Sequence, residues 1–148
     1  MSVRYEHQEI VRTTPELAFA AIDNLSLTSK WLPPCVSLKK VGSGPNAPGD
    51  KLKYVFKQGG KQSTMDGEIL ARVPGQRLHC QYFDSSFEVS VDLRVAAADG
   101  GTATTHIIEI TPKSAVGKLM QPLIRLGLGK QTRDAAANLK KLLESTGN

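Results

Sequence analysis

The sequence predicts an α+β fold in which a seven-stranded antiparallel sheet wraps around a long C-terminal helix, with two short helices between the first and second strands. Three observations lead there. Residues 113–145, KSAVGKLMQPLIRLGLGKQTRDAAANLKKLLES, read as helix and at ~1.5 Å per residue would cross a domain of this size. Residues 35–111 alternate apolar and polar side chains in short runs separated by Gly- and Pro-containing turns. The connections between those runs are short, which joins neighbouring strands antiparallel and leaves one sheet face to solvent.

Residues 3–12, VRYEHQEIVR, form the first strand. TTPELAFAAIDN then opens a helix with Thr14 as N-cap, Pro15 at the first helical position and Glu16 in the first turn. Leu17, Ala18, Ala21 and Ile22 supply its apolar face, and LSLTSKWL makes a second short helix stopped by Pro33-Pro34. CVSLKKV (35–41) is a strand, followed by the loop GSGPNAPGD (42–50). KLKYVFK (51–57) places Leu52, Tyr54 and Phe56 on one face and lysines on the other. Gly59-Gly60 turns the chain into 61–73, and Pro74-Gly75 turns it again. RLHCQYF (77–83) points Leu78, Cys80 and Tyr82 inward and His79 outward. FEVSVDLRV (87–95) points Phe87, Val89, Val91, Leu93 and Val95 inward, and Asp99-Gly100-Gly101 makes a hairpin into TATTHIIEIT (102–111).

The C-terminal segment holds two apolar stripes. Ser114 can cap its start, and Val116, Leu119, Met120, Leu123 and Gly127 fall within one arc. Leu128, Ala135, Ala136, Leu139, Leu142 and Leu143 fall within another, rotated by roughly 140° on a 100°-per-residue wheel. With Pro122, Gly127 and Gly129 between them, the expectation is a bend or break within 121–130, over a cavity or as a helix–turn–helix without one.

A single domain spanning 1–148 is expected, long enough to bury a sizeable core. No apolar run approaches the ~18 residues of a membrane span, so stable membrane insertion is not expected. The charged N-terminus resembles neither signal nor transit peptide, and Cys35 and Cys80 lack motif spacing, which points to reduced thiols in a cytoplasm. The net charge of +5 lies wholly in residues 113–148. It suits weak attraction to an anionic surface, or simply a solvated face with cations near a helix C-terminus. Without aromatic interleaving, nucleic acid is not an expected partner. Scattered histidines and isolated cysteines give no metal site, no phosphate loop or nucleophile elbow is present, and no cofactor is expected.

The element order, together with TTPELAF at 13–19, Trp31 followed by Pro33, GEILARVPGQRL at 67–78, GGT at 100–102 and LKKLLE at 139–144, resembles the SRPBCC superfamily. The resemblance is to its START/Bet v 1-like, polyketide cyclase/dehydrase-like small bacterial members. It implies a helix-grip fold enclosing a hydrophobic pocket and spans nearly the whole chain. The family includes lipid carriers, hormone receptors, aromatase/cyclases and chaperone activators, so fold leaves function open.

The face expected to line a cavity carries Trp31, Leu52, Tyr54, Phe56, Met65, Ile69, Leu78, Cys80, Tyr82, Phe87, Val89, Val91, Thr104, His106 and Ile108, with Met120, Leu123, Ile124 and Gln131 from the helix. An apolar lining with a few polar groups suits a small hydrophobic or amphipathic ligand; the same residues would also serve as plain core. His106 is the inward histidine, and with Tyr54 or Tyr82 it has the groups for the proton transfers of a cyclisation or dehydration. Asp66, Glu68, Glu88 and Asp92 fall on outward parity, so no acid is expected beside it. Three readings stand: a ligand-binding protein gated by loops 42–50, 58–61 and 84–86, a cyclase/dehydratase, and a protein-interaction module using Lys130, Arg133, Lys140 and Lys141. Monomer and homodimer are equally open.

Overall fold

In a computed structural model describing residues 2–58 and 60–146, the chain runs β1 (Val3–Val11), α1 (Pro15–Asp23), a 3₁₀ turn (Leu25–Leu27), α2 (Thr28–Trp31), β2 (Cys35–Lys40), β3 (Lys51–Gln58), β4 (Lys61–Val73), β5 (Arg77–Phe83), β6 (Phe87–Ala98), β7 (Gly101–Pro112) and α3 (Ala115–Thr146). Gly59, half of the expected Gly-Gly turn, lies outside the described residues. The seven strands form one antiparallel sheet in the order β1-β7-β6-β5-β4-β3-β2. Everything from β2 to β7 is therefore a sequential meander, and β1 returns to pair with β7 from Val3↔Ile110 to Val11↔Thr102. This is the helix-grip architecture expected from the sequence.

Local chemistry explains the ends of the elements. Thr14 Oγ1 accepts a hydrogen bond from the Leu17 amide at 3.2 Å, and Pro15 starts α1 where no amide hydrogen is needed. Ser114 Oγ accepts from the Gly117 amide at 3.2 Å and caps α3. A register shift between Ile69 and Ala71 bulges β4 and adds to the bending of the longest strand. The outer sheet face is a charge ladder in which Lys51 meets Glu68, Lys53 meets Asp66, and Arg77 and Arg94 share Asp92. Burial would raise the Asp92 carboxyl, but hydrogen bonds from Arg77 and then Arg94 hold it at about 2.

α3 corrects the expectation of a break. It is one helix with Pro122 inside it, ~48 Å long at 1.5 Å per residue. Pro122 is exposed, so the carbonyl it leaves without an amide partner meets water, and the helix continues. The face set by Leu128, Ala135, Leu139 and Leu143 extends straight back through Ile124 to Gly117. The other expected core stripe turns outward: Val116, Leu119 and Leu123 are 60, 81 and 69 % exposed. A Cβ on Gly117 would lie 2.5 Å from the Ser86 carbonyl oxygen, so a residue without one lets the first turn of α3 sit against the β5–β6 loop.

Candidate functional site

Between the inner sheet face and α3 lies a cavity of about 320 Å³. Burial along β6 and β7 shows its orientation. Leu93 and His106 are buried, whereas Phe87, Val89, Ile108 and Ile110 are only half-buried, so the cavity deepens toward His106 and opens toward Phe87.

The cavity brings together Trp31, Tyr54, Phe56, Met65, Tyr82, Phe87, Val89, Val91, His106 and Ile108 with Met120, Ile124 and Gln131 of α3, all named from the sequence. It does not take the rest. Leu52, Ile69, Leu78, Cys80 and Thr104 are buried elsewhere in the core; the four apolar ones share a cluster with Ala18, Phe19 and Ile22 of α1. Strand alternation gives the face a side chain occupies, and α1 decides which part of that face is already covered. Leu123 sits on the outward side of α3 and reaches no part of the cavity. Loop 42–50 contributes nothing to the lining, because Lys40 Nζ donates to the Gly44 and Pro45 carbonyls and Asn46 donates to Asp23. Asp84 and Ser86 of the expected gating loop 84–86 also line it, and Leu32, Pro34, Ser63, Leu93, Ile110, Leu128, Thr132 and Ala135 complete the wall without having been placed there from the sequence.

Aromatic rings organise one side. Phe56 stacks on Tyr54 at 5.2 Å between centroids, and Tyr54 meets Tyr82 at 5.2 Å. Gly67 stands beside Tyr82 in the register, where a Cβ would come within 2.6 Å of its ring. The bare backbone of Gly67 lets that ring lie across β4. Burial pushes both tyrosine hydroxyls well above their ordinary range, so they remain protonated and act only as neutral phenols at physiological pH. Burial also pushes the Cys80 thiol up to about 12 and Cys35 up to about 11, which leaves neither as a nucleophile.

At the deep end, Trp31 and His106 meet edge to face, with centroids 5.9 Å apart and planes at 84°. Trp31 Nε1 and His106 Nε2 are both buried, and neither has a hydrogen-bond partner. Burial first, then the charge of His7, depresses the His106 imidazole to about 4, against a smaller opposing pull from Glu9. It is neutral at physiological pH.

Those neighbours correct another expectation. His7 stands opposite His106 across the β1–β7 ladder, and Glu9 lies two residues on, on the same face. The inward acid missing from the sequence reading is thus Glu9, tied to His7 Nε2 at 3.0 Å and to Lys140 of α3 at 3.5 Å. The odd-position parity of Val3, Tyr5 and Val11 was the available signal. No group of three or more His, Cys, Asp or Glu side chains among the described residues is placed to hold a metal ion, and no helix among them is long and apolar enough to cross a membrane.

A family model described as polyketide cyclase / dehydrase and lipid transport matches residues 2–144. No curated protein matches the chain. Among solved structures, the Zhui aromatase/cyclase from Streptomyces sp. R1128 superposes with a TM-score of 0.82 at 10 % identity, covering 97 % of this chain and 94 % of that one. Ara h 8.0201 gives 0.74 at 20 % identity, over 99 % and 100 % of the two chains. A Thermus thermophilus protein gives 0.74 at 14 %, over 100 % of both. At such identities the likeness is one of fold.

Proposed function

This chain belongs to the polyketide cyclase/dehydrase and lipid transport family, and from that membership we propose that it holds one small apolar molecule, bearing a hydroxyl or carbonyl oxygen, in the cavity beneath α3. One observation carries the reading: Trp31 and His106 line the deep end of an apolar cavity, and their ring nitrogens Nε1 and Nε2 are buried with no partner in the fold. A buried polar group without a partner costs about 1–3 kcal/mol, which a ligand oxygen placed there would recover. The indole Nε1 always donates. A neutral imidazole Nε2 accepts in one tautomer and donates in the other, so a hydroxyl suits the first case and a carbonyl the second. The volume fits a molecule of a few fused rings or a medium-length chain.

Calorimetric titration with 2-naphthol and 2-methylnaphthalene tests this. In Trp31→Phe the ratio of the two dissociation constants should shift about tenfold toward the hydrocarbon, the equivalent of one lost hydrogen bond. An unchanged ratio would show that the indole does not read the oxygen.

A cyclase or dehydratase is the second reading, favoured by a histidine in the cavity wall, His106, whose Nε2 has no hydrogen-bond partner. An imidazole held at about 4 is a weak base, and the nearby phenols stay protonated, so binding is the better-supported role. The two readings separate on His106→Gln, which abolishes turnover of a poly-β-carbonyl substrate if the histidine moves a proton and leaves affinity within a few-fold in either case.

A further inference from the structure

The first half of α3 is amphipathic in an unusual sense, because both its faces are apolar. Gly117, Ile124 and Leu128 face the protein, while Val116, Leu119, Leu123 and Leu126 face solvent at 60, 81, 69 and 81 % exposure. These four recur at i, i+3, i+7 and i+10 and fall within an arc of ~80°, a continuous ridge rather than scattered surface residues.

Along residues 110–133 the charge has one sign only. No acidic residue occurs between Glu109 and Asp134, whereas Lys113, Lys118, Arg125 and Lys130 all lie exposed in that interval. Lys118 and Arg125 run along one side of the ridge, and Lys130 follows Leu126 at its C-terminal end. Of the cations named from the sequence for a partner surface, Lys130 pairs with Asp134, Arg133 bonds Tyr5 and Lys140 pairs with Glu9.

We propose that this ridge docks on an anionic lipid bilayer surface, with the leucines entering the acyl boundary and the cations meeting headgroup phosphates and carboxylates. Charge selects the occupant. A second copy of the chain would bring like charges together around the ridge, and a zwitterionic bilayer offers no net countercharge. The ridge is a convex single helix and offers a peptide no groove. A planar, deformable, negative interface is the surface it complements, as for other helices that lie in the plane of a membrane. Met120 and Ile124, on neighbouring turns, line the cavity, so the docked element is also the cavity roof. The docking itself does not depend on the cavity being filled.

Co-sedimentation of the full chain with vesicles of phosphatidylcholine, with and without phosphatidylserine, tests the proposal. The protein should sediment with the phosphatidylserine vesicles alone, and release from them at high salt. Leu119→Glu with Leu123→Glu should lower the partition at least about tenfold, as should Lys118→Glu with Arg125→Glu. All four sites are exposed, so unchanged circular dichroism and melting midpoint serve as the folding control. The proposal is overturned by failure of the wild type to sediment, by equal partition onto phosphatidylcholine, or by leucine variants that still bind. It is also overturned by a dimer in light scattering that the leucine variants split, which would make the ridge a self-association surface.

Discussion

Leu139→Ala should destabilise the fold by about 2–5 kcal/mol, while Leu123→Ala on the same helix should change stability by no more than about 0.5 kcal/mol. Leu139 is 0 % exposed and belongs to the core cluster, whereas Leu123 is 69 % exposed. Truncating the first removes buried methyl groups and leaves a void that the sheet cannot collapse to fill. Truncating the second takes side-chain atoms from water to water. Urea unfolding followed by far-ultraviolet circular dichroism measures both, and by the usual scaling the Leu139→Ala midpoint in a thermal scan should fall by roughly 4–20 °C. Comparable losses for the two leucines would mean that the N-terminal half of α3 is anchored through the opposite face. That result would also remove the ridge on which membrane docking rests.

Acidification should cost the wild type about 3 kcal/mol through His106 alone. Its folded-state pKa of about 4 lies below the ordinary 6.5 of an imidazole, so between those values the unfolded chain takes up a proton that the folded chain refuses. The stability is therefore fully present above pH 6.5 and is lost as the pH falls toward 4. His79 is also lowered, chiefly by burial, and contributes in the same direction, so the informative quantity is the difference between wild type and His106→Phe. The variant keeps a ring against Trp31 and has nothing to protonate, and its denaturant stability should be flatter across this window. Asp92, held at about 2, acts only below 3.8 and does not confound the comparison. Parallel pH profiles for the two proteins would show that His106 reaches water or a counter-charge when folded.

Much of this architecture was legible because its signals are local. Thr14-Pro15 sets the start of α1, the alternation of Leu52, Tyr54 and Phe56 sets the inner face of β3, and the turns at Pro74-Gly75 and Asp99–Gly101 pair β4 with β5 and β6 with β7. What stayed hidden depends on distant partners. α3 offers two apolar stripes of similar strength, and only packing against the sheet decides that Leu128 faces in and Leu123 out. Glu9 went unassigned because the cation that satisfies it, Lys140, comes from the far end of the chain. Cys80 and Tyr82 lie on one face of one strand, yet only Tyr82 reaches the cavity.

The sheet order bears on how the molecule assembles. β2 to β7 are joined hairpin by hairpin, so each pairing closes only a short loop, whereas β1 must find β7 across nearly the whole chain. Loop-closure entropy places that step late. The N-terminal segment that makes it also carries α2, with Trp31, the one tryptophan of the sequence. The meander can thus form first, and His106 gains His7 opposite it and Glu9 beside it only when the first residues of the chain join the last strand.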